Sequence, residues 1–205
     1  MTARVYLVTD PMCSWCWGMA DDFETARNRL QNSVEFELLL GGINTHGTQP
    51  IGDYGRRFLM RLWSEVAETT GQKFGFKLPD DYIHNSARTC LALEASRRLV
   101  NAAPFEFLHA LQRAFFLDGL DITQEPVIME CAATCGIDPQ ALMTEMQAPR
   151  HLESIRFQFE AATGFGTQAM PSLVKEEAGR FSLMAGGYVD AEMIESLVEG
   201  LLEKS

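Results

Sequence analysis

Apolar positions run through this chain in two rhythms, and the place where one gives way to the other divides it. Val5, Tyr6, Leu7 and Val8 form a short apolar run closed by Asp10-Pro11, the pattern of a strand buried on both faces. Met19, Phe23, Ala26 and Leu30 then recur at helical spacing, with Asp21, Asp22, Arg27 and Arg29 turned elsewhere, which predicts an amphipathic helix starting near Cys13. Beyond Asn32-Ser33, Val34, Phe36, Leu38 and Leu40 alternate with Glu35 and Glu37, predicting a strand with one wetter face. Strand, helix and strand in succession are most simply joined as a parallel βαβ unit.

From about Asp53 to Ala162 the period is helical and no strand is evident. One helix carries Phe58, Leu59, Leu62, Trp63 and Val66 and closes near Gly71; a second opens at Asn85-Ser86 and runs through Cys90, Leu91 and Leu93 to Leu99. A third follows Pro104 and stops at Gly119, and Pro126, Gly136, Pro139 and Pro149 punctuate three shorter ones. Strand character returns in SLVKEEAGRFSLMAGG, two runs around Glu177-Ala178-Gly179-Arg180 that read as a hairpin, before a last helix from Asp190. Each end alone has open strand edges and too little core. The two ends are therefore expected to share one four-stranded sheet carrying helices, with the helical stretch inserted between them.

Composition adds exclusions. The chain has 205 residues, 46% of them hydrophobic and 22% charged, with no apolar run of about 18 residues that would span a bilayer. A formal charge of −11, with no basic stripe interleaved with aromatics, argues against nucleic acid as a partner. The opening MTARVYLVTD lacks the apolar stretch of about 7–15 residues and the cleavage site of a secretory signal, so the expected setting is cytoplasmic, where thiols are kept reduced.

That setting bears on PMCSWCWGMA, residues 11–20, where Cys13 and Cys16 lie three apart at the start of the predicted helix. Such spacing puts both sulfurs on one face, within reach of each other. Cys13 would stand at the helix N-terminus, whose unpaired N–H groups and positive dipole end favour a thiolate, the nucleophilic form. Cys16, a turn further in, is then the resolving thiol. A zinc site would need a second ligand pair, and Cys131 with Cys135 and the scattered His46, His84, His109 and His151 supply none at suitable spacing. No metal is expected. A working dithiol is favoured over zinc, a structural disulfide or a coincidental core pair. Met170-Pro171, just before the strand SLVKE, reads equally as a loop boundary or a site element.

Taken together, TDPMCSWCWG, the Gly41-Gly42 pair, Asn85 at a helix start, the stretch from Ala114-Phe115 to Asp121-Ile122, and GTQAMPSLV at 166–174 resemble the DsbA-like family of dithiol-disulfide oxidoreductases. The resemblance implies an α/β, thioredoxin-like fold with a four-stranded mixed sheet and a large all-helical insertion domain: residues 1–50 and 165–205 would form the discontinuous thioredoxin-like domain and 51–164 the insertion. It also implies that the Pro171 bond is cis and faces the dithiol, and that the Met170 backbone pairs with an extended substrate. The implied chemistry is exchange of the Cys13/Cys16 dithiol with protein, peptide or small-molecule disulfides through a mixed disulfide. No bound cofactor is implied, and glutathione stands as a candidate reductant.

The sequence departs from strongly oxidising relatives, which place a histidine beside the second cysteine where this chain has Ser14-Trp15. Trp15 carries no charge, so a less oxidising disulfide is expected. Ala169 also stands where relatives often have glycine. Kappa-class glutathione transferases and hydroxychromene-carboxylate isomerases resemble the same layout but generally carry serine at the nucleophile position. A glutathione-linked transferase or isomerase, and a chaperone-like peptide-binding module, are the alternatives. Trp15 and Ser14 are expected at the substrate-binding rim and Trp17 in the core. Asp10 is read as a solvated carboxylate, Glu37 as an edge-strand one, and Cys90, Cys131 and Cys135 as small core residues.

Overall fold

The structure, a computed structural model, describes residues 3–100 and 102–203. Its sheet is built around β1 (Ala3–Thr9), which pairs in parallel with β2 (Val34–Leu40) and antiparallel with β3 (Ser172–Glu177). β4 (Arg180–Gly186) closes the order β2-β1-β3-β4. Both ends of the chain therefore share one mixed four-stranded sheet, as expected. The alternation of β1 explains its central place: Val5 and Leu7 enter the main core on one face, and Val8 joins Leu39 and Val174 in a second cluster on the other. The hairpin between β3 and β4 turns at Ala178 and Gly179, both at positive φ (50° and 74°), as a tight two-residue turn requires.

The single helix expected from Cys13 to Leu30 is bent into two. α1 (Ser14–Gly18) and α2 (Ala20–Leu30) meet at Met19, where φ is −89° and ψ −6°. The break adjoins Gly18, against which α3 (Gly52–Thr70) packs so closely that a Cβ would come within 2.5 Å of Val66 Cγ1. The helix turns where its neighbour touches its backbone.

Between β2 and β3 lie α3, α4 (Ala87–Ser96), α5 (Phe105–Phe116), α6 (Glu125–Thr134), α7 (Pro139–Glu145) and α8 (Pro149–Ala162); α9 (Ala191–Leu202) follows β4. α3 ends at Gly71, in the left-handed region at φ 75°, with its N–H on Ala67 O. α4 is buried on several sides and lies at the centre of the helical layer, its start held by Asn85, whose Oδ1 accepts from Ala87 N at 2.9 Å. Trp63, Phe115 and Phe116 meet edge to face at the middle of that layer.

The helical layer and the sheet share one continuous core, running from Val5 and Phe36 through Trp17 and Phe116 to Ile155. α8 belongs physically to the sheet. Ala161 and Ala162 cover the second face, and Gln158 Oε1 accepts from Leu40 N at 3.0 Å along the outer edge of β2. Among the described residues no helix is long and apolar enough to cross a membrane.

Candidate active site

β1 delivers the chain to the site, and Asp10-Pro11 ends the strand. Cys13 N donates to Asp10 O at 3.1 Å, which closes a turn and places Cys13 at the N-cap of α1. There its Sγ accepts the Cys16 N–H at 3.2 Å, satisfying one of the free donors of the helix end. The two thiols are free in this structure and both are buried. Burial is the main force pushing the Cys16 thiol well above its ordinary range, and the adjacent Cys13 adds to it; Thr9 and the Asp10 backbone pull weakly the other way.

The Met170–Pro171 bond is cis, and the Cys13 thiol donates to Met170 O at 3.6 Å. Proline immediately ahead of β3 is held from both sides: Ser172 Oγ donates to Ala169 O at 2.6 Å, and Gly187 N donates to Pro171 O at 2.8 Å. The first residue of the glycine pair makes room for this arrangement, because a Cβ on Gly41 would lie 2.0 Å from Met170 Sδ. Cys13, Cys16, Met170 and Pro171 thus come together at one end of the sheet, although 154 residues or more separate the two pairs in sequence.

The two residues between the cysteines differ in what they present. Ser14 is buried in the first turn of α1, so the surface beside the dithiol is supplied by Trp15, which is half-buried. Tyr188 lies next to it with ring centroids 6.4 Å apart, and is anchored by its hydroxyl donating to Asp22 Oδ2 at 3.0 Å. Tyr188 carries no motif, and only the return of the last loop over α2 brings it there. Trp17 is core, stacked on Phe116 at 5.9 Å with its Nε1 on Lys73 O at 2.9 Å.

Asp10 corrects the sequence reading, for it is fully buried rather than solvated. Oδ1 accepts from Met12 N at 2.8 Å, while Oδ2 accepts from Ile43 N at 3.0 Å, Ser86 Oγ at 2.5 Å and Cys90 Sγ at 3.5 Å. Burial raises its pKa, and the bonds from Ser86, Met12, Cys90 and Ile43 oppose that rise. The carboxyl is thus turned toward α4 and the loop after β2. A run of T-D-P before the cysteines gave no sign of this, because its partners come from the inserted helices.

Glu37 lies at the sheet edge as read, paired with Arg97 Nη1 at 2.9 Å. Cys131 donates to Ala110 O at 3.7 Å, and burial pushes its pKa up to about 11. Cys135 is half-buried rather than core. Among the described residues, no three His, Cys, Asp or Glu side chains gather in a way that could hold a metal ion.

Comparison with known proteins bears on the family and the fold. The thioredoxin family model named Thioredoxin_5 matches residues 6–180. A candidate protein disulfide isomerase from Nitrosomonas europaea superposes with a TM-score of 0.91 at 27% identity, covering 100% of this chain and 99% of its own. The cytosolic disulfide reductase DsbM from Pseudomonas aeruginosa superposes at 0.80 with 22% identity, over 98% of this chain and 100% of its own, and a structure of it with GSH at 0.77. In sequence, the ClpXP adapter protein SpxH of Shouchella clausii is 22% identical over 98% of this chain and 72% of that protein. The chain belongs to the thioredoxin family, with the helically inserted, DsbA-like arrangement of its fold.

Proposed function

We propose that this protein is a thiol-disulfide oxidoreductase whose Cys13/Cys16 pair exchanges with the disulfides of proteins, peptides or small molecules. The observation that carries this reading is the Cys13 sulfur itself: it caps α1, accepts the Cys16 N–H, and lies 3.6 Å from the carbonyl of Met170. A nucleophile, its resolving partner and a backbone edge for an extended substrate are side by side.

In the reducing direction the Cys13 thiolate attacks one sulfur of the substrate disulfide, and the other sulfur leaves as a thiolate. Cys16, once deprotonated, attacks the Cys13 sulfur; the bond from Cys13 to substrate breaks, its electrons leave with the second substrate thiolate, and the protein ends with a Cys13–Cys16 disulfide. Two electrons pass to the substrate and two thiols become one disulfide. No bound cofactor enters, and a small thiol such as glutathione restores the dithiol. The reductive direction is supported by Trp15 at the position beside the second cysteine, which brings no positive charge to stabilise the thiolate form. A reducing, cytoplasmic compartment suits that direction.

The test is turnover of insulin disulfides with glutathione as reductant. Cys13→Ser should abolish turnover, and Cys16→Ser should accumulate a mixed disulfide at Cys13. Full turnover by the Cys13→Ser variant would overturn the reading. Conjugation of an electrophile to glutathione by a variant lacking both thiols would point to a transferase instead.

A further inference from the structure

Cys16 must lose a proton before it can resolve a mixed disulfide, and its surroundings do little to help. The thiol is sealed between β1 and the helices, and the nearby Asp10 carboxyl is already engaged by Ser86, Met12, Cys90 and Ile43. One route leads away from it. A cavity of about 30 Å³ lies among β1, α1, α2 and α5, with Thr9, Cys16, Gln112, Glu24 and His109 contributing to its wall. This volume has room for a water molecule or two. The inner cavity shares Glu24, Phe105 and His109 with an open cleft of about 480 Å³ that Asp21, Thr25 and Glu106 also line. His109 therefore lines both the inner cavity that Cys16 reaches and the open cleft.

The wall is mostly apolar, with Leu7, Met19, Phe23 and Leu108 among its residues, and two polar side chains stand out in it. Gln112 is 2% exposed, yet its amide makes no hydrogen bond to a described residue, so its two donors and its carbonyl remain for molecules in the cavity. His109 is half-buried and lies against the Trp17 ring, with centroids 5.3 Å apart, so its imidazole is held in place one turn of α5 before Gln112.

We infer that water in this cavity, ordered by Gln112 and Thr9, carries the Cys16 proton to His109 during resolution. The inference rests on the dithiol reading and deepens it. The Sγ–H bond of Cys16 breaks, its proton passes through water to an imidazole nitrogen, and its electron pair forms the bond to Cys13 while the substrate thiolate leaves. His109 then releases the proton into the cleft. An imidazole suits the task because one nitrogen accepts while the other donates. The charged groups facing it are Asp21 and Glu24 of α2 and Glu106 of its own helix; Arg27 is tied to Glu24 at 2.7 Å, and Arg113 follows one turn along α5. His109 acts on Cys16 through water and is a positioning and proton-transfer residue rather than one that touches substrate.

An aromatic disulfide, dithiobis-nitrobenzoate, separates the steps, because Cys13 attack releases the first coloured thiolate and Cys16 resolution the second. The reduced full chain carrying Cys131→Ala and Cys135→Ala is mixed with the reagent in a stopped-flow instrument across pH. His109→Ala should leave the first phase unchanged and slow the second by about tenfold or more. Added imidazole should restore it, which a merely structural defect would not allow. Gln112→Leu should slow the second phase as well, with folding of each variant checked by circular dichroism. An unchanged second phase in both folded variants would overturn the inference, as would slowing that imidazole fails to relieve. Loss of the first phase in the parent protein would instead sink the dithiol reading itself, so the two failures are distinct.

Discussion

Asp10 Oδ2 and Ser86 Oγ meet at 2.5 Å in a site closed to solvent, and join the turn that carries Cys13 to the start of α4. Ile43 N donates to both, at 3.0 and 2.7 Å, so the loop after β2 is locked into the same knot. The dithiol loop, the sheet and the helical layer are thereby fixed relative to one another beneath the site. A buried carboxyl engaged by several donors holds geometry well only while every donor is present.

Removing one donor should therefore be costly. Ser86→Ala leaves the buried Asp10 carboxyl short of its closest partner and should lower stability by about 1.5–3 kcal/mol in urea unfolding. The Asp10→Asn, Ser86→Ala double variant should lose less than the sum of the two single losses, because the groups act together. Additive losses would show that the contact contributes nothing of its own.

The pH dependence has a definite sign. Asp10 has a raised pKa in the folded protein, so its folded form holds a proton that the unfolded chain releases at lower pH. The stability this group contributes is full below the ordinary aspartate range and is lost as pH rises through the folded value. The difference in unfolding free energy between the parent and Asp10→Asn should fall across that window and level off above it. A difference that rises with pH would contradict this.

Gly75 sets a steric limit on the helical layer. Its N–H donates to Phe116 O at 2.8 Å, and a Cβ there would lie 1.9 Å from Leu117 O. The obstacle is backbone, which has nowhere to turn. Gly75→Ala should lower stability by about 3 kcal/mol, the upper end of the usual cost of overpacking, with a matching fall in melting temperature.

The open edge of β2 is closed by side chains from the helices. Arg97 Nη2 donates to Leu38 O at 2.6 Å and Nη1 to Glu37 at 2.9 Å, while Gln158 takes Leu40 N. Arg97→Met should cost about 1–2 kcal/mol and speed amide exchange selectively in β2. Uniform acceleration throughout the protein would argue against a local role.

The two buried cysteines outside the pair, Cys90 and Cys131, should be slow to alkylate. Burial raises the pKa of Cys90 and that of Cys131, the latter to about 11, so neither should react with iodoacetamide at pH values near 8 while the fold is intact. Mass mapping of the reduced protein checks this. Rapid modification of Cys131 under those conditions would show that its surroundings open readily.

Where local pattern decides conformation, the chain declared itself. The double-sided run of β1, the alternation of β2, the Ala178-Gly179 turn and the Gly71 stop all follow from side-chain period and backbone sterics within a few residues. Cys13 and Cys16 were equally legible, because their spacing and the strand-to-helix step around them lie in one short segment. The break at Met19 was not, since the hydrophobic period runs through it unchanged and the close approach of α3 to Gly18 beside it is a tertiary contact. Asp10 and Ser14 were misplaced by the same blindness: burial is set by what folds over a residue, and α4 and the inserted helices do that folding. Gln112 and His109, read along α5, are an amide and an imidazole on an amphipathic helix; only packing against α1 and β1 turns them toward a thiol nearly a hundred residues earlier in the chain. Local sequence chose the nucleophile, and tertiary contact decided what surrounds its partner, because hydrogen bonds and cavities form between groups that the chain order keeps apart.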